Sequence, residues 1–169
     1  MIKKLNEKDF DVFEYIFREF EKEPFFEKWT NQEVYDEFKE FINTGIMFTY
    51  DDKGLATFIP NKRKKEGLPY ESWRSFIYLS DIVVVGEYRG QGIGSKLMDY
   101  SLEYFKSEYD YMYFRTNVVG SMSEGIAVKR GFEVINDNEG NLITDDVEFM
   151  RQNGKVEKDK RKYLVKRMK

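Results

Sequence analysis

The chain contains no cysteine and no histidine. Without cysteine there is no disulfide, no thiolate zinc site and no cysteine nucleophile. Without histidine, the commonest general base and the commonest metal ligand are both missing. Proton transfer then falls to Asp, Glu, Tyr, Lys or a held water, and no metal site is expected. No apolar run is long enough to span a membrane, and the N-terminus has no signal-peptide core. The expectation is a cytoplasmic protein with no membrane partner.

What is present is one ordinary domain. The 169 residues suffice for a real core, and aromatic residues make up 17% of them. We expect a single domain over 1–169, with no internal repeat. The formal net charge of −3 hides an asymmetry. Residues 151–169 carry nine basic side chains against Glu157 and Asp159, leaving 19 basic and 29 acidic residues in the first 150, a net of −10. An acidic body steers cationic ligands inward, or simply keeps the protein soluble. The Lys62-Arg63-Lys64-Lys65 run reads as a solvated turn on that acidic body, so no nucleic-acid partner is expected.

The stretch from Leu79 to Leu97 organises the rest. Ile82-Val83-Val84-Val85 is an unbroken β-branched run, the pattern of a strand buried on both faces. Glycines then take over in Arg89-Gly90-Gln91-Gly92-Ile93-Gly94, and Ser95 opens a helical pattern. Strand, glycine-rich turn and helix together make an anion site, because the first helical amides have no partners and meet the ligand at the positive end of the dipole. The dinucleotide pattern G-x-G-x-x-G is not met, since the glycines run G-x-G-x-G. A Walker loop is not met either, since Ser95 precedes Lys96.

Arg89-x-x-Gly92-x-Gly94 resembles the Q/R-x-x-G-x-G/A motif of the GNAT superfamily of acyl-CoA-dependent N-acetyltransferases. The surrounding segment from Asp81 to Lys96 is similar to that of diamine and polyamine acetyltransferases in that superfamily. A second family signature, helix then Gly-Phe then strand, is matched by Ser123 to Gly131-Phe132. The resemblance runs from about Ile46 to Ile135. It implies an α/β (α+β) fold with a GNAT-like mixed, mostly antiparallel central sheet of six to seven strands flanked by about four helices.

The patterning along the chain fits that expectation. Ile2 to Leu5 reads as a first strand. Phe10, Phe13, Tyr15-Ile16-Phe17 and Phe20 give a helix with an aromatic face, stopped at Glu23-Pro24. Thr30 or Asn31 caps a second helix over Gln32 to Ile42. Asp51-Asp52-Lys53-Gly54 joins two strands in a hairpin. A central strand runs from about Phe76 to Val85, and its following helix reaches about Ser107. Tyr111 to Thr116 is the next strand, and Ser121 or Ser123 caps a helix ended by Gly131. Phe132 to Ile135, Leu142 to Met150 and Tyr163 to Met168 are further strands, the last two around a charged loop over Gln152 to Lys162.

The resemblance implies acetyl-CoA as cofactor and a small-molecule amine as acceptor. Arg89, Gly90, Gln91, Gly92, Ile93, Gly94 and Ser95 would bind the pyrophosphate, with Ser123 nearby. The edge of Ile82, Val83 and Val84 would hold the pantetheine arm like an added strand, and an amide near Val83 or Val84 would face the oxyanion. Phe25, Phe26 and Trp29 would line the acceptor pocket, or else simply pack beneath their loop. Asp81 is the candidate base, an acid placed where burial raises its pKa. The family's usual Tyr acid, four residues before the Gly-Phe pair, is Ala127 here, and the usual Asn is Gly120. Tyr113, Tyr78 or Ser123 are substitutes for the acid, or none is needed, since a thiolate is a tolerable leaving group. Two further readings remain at this stage: a peptide or protein N-acetyltransferase, and a non-catalytic acyl-CoA-binding module. Many relatives dimerise through late strands, and Leu142 to Met168 is the candidate homodimer surface.

Overall fold

The structure, a computed structural model, describes every residue except 23–27, 120 and 151–152, with backbone alone at Tyr70, Glu71, Met122 and Phe149. Its elements in chain order are β1 (Ile2–Lys4), α1 (Phe10–Phe17), α2 (Asn31–Thr44), β2 (Ile46–Tyr50), β3 (Gly54–Pro60), β4 (Phe76–Val84), α3 (Ile93–Phe105), β5 (Tyr111–Asn117), α4 (Met122–Val128), β6 (Glu133–Val134), β7 (Thr144–Met150) and β8 (Val156–Arg167). The strands form one sheet in the order β1-β2-β3-β4-β5-β8-β6, with β7 also on β8. Every pairing is antiparallel except β4 with β5.

Alternation along the strands supplies two apolar faces. On one face, α3 sets Ile93, Leu97, Met98 and Phe105 against Phe48, Phe58, Ile77 and Phe114. On the other, α1 and α2 interlock Phe13, Ile16 and Phe17 with Val34, Phe38 and Phe41 over Leu55 and Val83. The α1 aromatic stripe does not continue as α-helix to Phe20. It tightens into a 3-10 turn over Arg18–Lys22. Thr30 caps α2 in a reciprocal box: its hydroxyl accepts from the Glu33 amide at 3.1 Å, and the Glu33 carboxylate accepts from the Thr30 amide at 3.1 Å. The β2–β3 hairpin turns through Asp51 and Asp52, both left-handed with φ of 48° and 57°. That is the conformation a two-residue turn needs and that Asp tolerates. Gly54 begins β3 under α3, where a Cβ would stand 2.6 Å from Ile93 Cγ2, so the helix can lie this close only over glycine.

The strand count corrects the expected six to seven to eight. The charged segment read as a loop lengthens the last strand, because β8 starts at Val156 and runs for 12 residues. Its charges belong to a ladder rather than to a loop. Lys158 lies opposite Glu148, Lys160 opposite Asp146 and Arg161 opposite Asp145, and cross-strand pairs of opposite sign favour a strand.

Two features of β4 position the site. Thr57 pairs with Asp81 while Phe58 pairs with Leu79, so Ser80 is an extra residue without a partner on β3. Such a bulge resets the alternation. Ile77 and Leu79 face α3 before it, whereas Asp81 shares the α1–α2 face with Val83 after it. The parallel pairing of β4 with β5 covers only Phe76–Tyr78 against Tyr111–Tyr113. Beyond it the two strands diverge, and a cleft opens between them.

Phe58→Ala removes a fully buried ring that packs on Phe48 and Phe105. It is expected to lower unfolding free energy by about 3–5 kcal/mol in a denaturant titration, whereas Thr30→Ala loses only the cap, about 1 kcal/mol.

Candidate functional site

The cleft encloses about 1090 Å³. One wall is the β4 edge, Ile82, Val83 and Val84, whose backbone has no β5 partner at these positions. The floor at one end is the turn into α3. Gly90 and Gly92 both take left-handed φ, 80° and 79°. A Cβ at either would meet nothing within 4 Å, so the turn is open on its outer side. Gly92 caps α3 with no side-chain bond, and the earliest bond back to it comes from the Lys96 amide at 3.0 Å. The amides of Ile93, Gly94 and Ser95 are thus left for a ligand, and all three residues line the cleft. A pyrophosphate needs donors of this kind on open backbone, and the turn fits it.

Arg89, Gly90 and Ser123 line the same cleft; Gln91 lies on the exposed outside of the turn. The Arg89 guanidinium is braced, its Nε donating to the Val84 carbonyl at 3.1 Å.

Asp81 stands further back along β4, about 13 Å of strand before Val85 at roughly 3.3 Å per residue. One side of it faces the cleft. Its Oδ2 accepts from Thr57 Oγ1 at 3.1 Å and from Ser80 Oγ at 3.0 Å. Burial raises its pKa above the ordinary aspartate value; the two hydroxyls and the charge of Lys64 pull the other way without cancelling it. Nothing in the sequence marked Glu37 of α2, whose carboxyl is also raised, by burial first and then by Glu40 and Asp81. It belongs to the same acidic neighbourhood.

The opposite wall comes from β5, β7 and β8: Arg115, Asn117, Val147, Glu157, Asp159 and Arg161. Asn117 and Arg161 are ladder partners, and the Asn117 Oδ1 is buried with no hydrogen-bond partner among the described residues. Below them Asp145 gathers Lys65 at 2.7 Å, Arg115 at 3.3 Å and the Tyr163 hydroxyl. Burial alone would raise Asp145, but Lys65, Tyr163 and Arg115 outweigh it and hold the carboxyl below its ordinary value. Tyr163 is pushed upward by burial and by that carboxylate. Of the residues in this wall, Glu157, Asp159 and Arg161 fall in the segment expected to be a charged loop, which concealed their place in the cleft.

The other expected residues divide. Tyr113 is not brought to the cleft. Its ring is fully buried, and its hydroxyl donates to the Lys62 carbonyl and accepts from the Lys64 amide at 3.1 Å. Tyr78 does line the cleft, with its ring edge-on to Tyr113 at 4.9 Å. Trp29 stacks on Phe17 with centroids 5.1 Å apart and is not among the cleft-lining residues. Phe25 and Phe26 lie outside the described residues. Phe20 and Glu19, one turn past α1, line the cleft instead. An acidic residue beside an aromatic helical stripe was the available signal for Glu19.

Residues 13–132 match the acetyltransferase (GNAT) family. No curated protein sequence matches the chain. Among solved structures, an N-acetyltransferase from Staphylococcus aureus Mu50 superposes with a TM-score of 0.69 at 17% identity, covering 100% of this chain and 98% of that one. A ribosomal-protein-alanine N-acetyltransferase from Brucella melitensis gives 0.67 at 17% identity, covering 99% of each chain. A GNAT superfamily phosphinothricin acetyltransferase from Sinorhizobium meliloti, in complex with AcCoA, gives 0.69 at 13% identity, covering 99% of this chain and 87% of that one.

The two aspartates, Asp81 and Asp145, predict opposite pH behaviour. Asp81 ionises less readily in the fold than in the unfolded chain, so its charge destabilises the fold as pH rises past the ordinary aspartate range. Asp81→Asn should therefore melt higher than wild type at pH 7 and alike at pH 3. Asp145 ionises more readily in the fold, so its contribution is present above the ordinary aspartate range and lost as pH falls below it. Asp145→Asn should melt lower at pH 7, with the deficit shrinking toward pH 3. Thermal melts across that range check both.

Proposed function

The chain belongs to the acetyltransferase (GNAT) family, and from that premise we propose that it moves the acetyl group of acetyl-CoA onto the primary amine of a small cationic metabolite such as a polyamine, with Asp81 as the base. The observation that carries this reading is the placement of Asp81. The Ser80 bulge turns it onto the α1–α2 face, partway along the strand whose C-terminal end meets the phosphate turn. Acetyl-CoA supplies the thioester to be attacked. The open amides of Ile93, Gly94 and Ser95 hold its phosphates, and the edge of Ile82, Val83 and Val84, apart from the Val84 carbonyl that Arg89 occupies, takes the arm as a neighbouring strand would.

An amine arrives protonated and attacks only when neutral, so the chain must remove one proton. A carboxyl held above its ordinary pKa by burial is suited to this, and Thr57 and Ser80 fix the oxygen that receives the proton. Glu37 and the acidic body favour a cation at this end. For the departing thiol, Ala127 offers no acid, and of the three expected substitutes Tyr78 and Ser123 line the cleft. We infer a cytoplasmic setting. The outer edge of β7, which among the described residues pairs only with β8, is the surface through which a homodimer would form.

A second reading has its own observation. The unpartnered Asn117 Oδ1 in the cleft wall would accept the N–H of a peptide bond, which favours a peptide N-terminus as acceptor.

The test is coenzyme A release from acetyl-CoA with polyamines, aminoglycosides, amino acids and short peptides. Turnover with polyamines is expected, falling about 10²- to 10⁴-fold in Asp81→Asn. Turnover with peptides alone moves the acceptor to the second reading. Acetyl-CoA binding without release across the whole panel would leave a non-catalytic binding module. Tyr78→Phe is expected to slow turnover, and Tyr113→Phe to leave it unchanged, since that hydroxyl serves the 62–64 backbone.

A further inference from the structure

Glu19 is the least exposed acid near the cofactor turn, with 4% of its surface accessible. It lies in the 3-10 turn Arg18–Lys22 that carries the α1 side of the molecule toward α2. A carboxylate buried at this depth needs strong partners. Its Oε1 meets Lys22 Nζ of the same turn at 2.5 Å. Its Oε2 crosses to the other end of β4, accepting the Gly86 amide at 3.2 Å and lying 3.8 Å from Arg89 Nη2. Gly86 immediately follows buried Val85, and Arg89 opens the phosphate turn. One side chain therefore joins two parts of the cleft that are 67 residues apart in sequence: the α1-side wall, where Phe20 lies, and the turn that takes the pyrophosphate.

We propose that Glu19 is a positioning residue that couples occupancy of the phosphate turn to the order of the acceptor-side wall, so that acetyl-CoA and the amine reinforce each other's binding. This rests on the acetyl-CoA reading above. Arg89 acts in this arrangement as a strut. Val84 and Glu19 hold its guanidinium against the turn. A phosphate seated on the amides of Ile93, Gly94 and Ser95 immobilises the turn. Through Arg89 and Gly86 it then immobilises Glu19 and the segment that bears it. Binding that orders a segment lowers the cost for a second ligand docking on the same segment, and the effect is reciprocal.

Amide hydrogen exchange with free coenzyme A tests this without requiring turnover. In the wild type, coenzyme A should slow exchange at Ile93–Lys96 and also at Arg18–Lys22, the latter by about fivefold or more, the low end of ordinary coupling between sites. In Glu19→Ala the protection at Ile93–Lys96 should persist, which shows the variant folded and binding, while that at Arg18–Lys22 disappears. Glu19→Gln keeps an oxygen for the Gly86 amide and should retain part of it. Lys22→Met should keep the protection at Arg18–Lys22, because the Glu19 Oε2 contacts to the Gly86 amide and Arg89 do not pass through Lys22. Wild-type protection confined to Ile93–Lys96 overturns the coupling and leaves the acetyl-CoA reading standing. Full protection of Arg18–Lys22 in Glu19→Ala, or its loss in Lys22→Met, overturns the assignment to Glu19. No protection at Ile93–Lys96 in the wild type overturns the acetyl-CoA reading and the coupling together. With an acceptor found, Glu19→Ala should raise the KM of the amine about fivefold or more while kcat changes little. A merely structural loss would not produce that split.

Discussion

Two neighbouring strands that pair for three residues and then separate govern most of what this molecule can do. A parallel pair inside a sheet ordinarily satisfies its polar groups along its full length. Here β4 and β5 share only Phe76–Tyr78 and Tyr111–Tyr113. The cost is a row of backbone groups on β4 without a neighbouring strand. The return is a slot through the sheet that reaches both faces. Everything else is arranged so that the divergence persists. β3 holds β4 from one side over its whole length, and β8 holds β5 from the other. Aromatic side chains from Trp73, Phe76, Tyr78, Tyr113 and Tyr163 close the sheet just where the strands part.

The bulge at Ser80 completes this geometry. Without the extra residue, Asp81 would fall in phase with Leu79 and face the apolar underside of α3. A carboxylate there would be buried without partners, at heavy cost. With it, the carboxyl emerges among two hydroxyls and the acids of α2, buried enough to hold a proton more tightly and accessible enough to exchange one. In a chain with neither histidine nor cysteine, proton chemistry depends on environment rather than on residue type, and one inserted residue in β4 sets the environment of Asp81.

Much of this was legible in the sequence, and the reasons for the rest are specific. The run Ile82–Val85 and the glycines after it announced strand, turn and helix because both signals are local. The aromatic stripes of α1 and α2 and the Asp51-Asp52 hairpin were legible for the same reason. The bulge was not, because no residue type requires it; it appears only when β4 is aligned with β3. The first half of β8 was hidden because its charges are neutralised across the ladder by β7, a non-local fact, while its end from Tyr163 was legible. Glu37 and Glu19 look like surface acids until the elements that cover them are in place. Tyr113 looked suitable as an acid by position, yet alternation on β5 sends it into the core opposite Phe114.

The exposed edge of β4 has an implication for how such a site can change over generations. Contacts made by main-chain amides and carbonyls demand a conformation, not particular side chains. A stretch such as Ile82–Val84 can exchange one β-branched residue for another while its hydrogen-bonding edge stays as it was. Drift is therefore restrained at few positions: the glycines that must be left-handed, the inserted residue, the acid that follows it. Structures that share only 13–17% of their residues with this chain superpose over nearly all of it. A slot defined by backbone would leave the surrounding walls free to diverge toward new acceptors while the donor side remained the same.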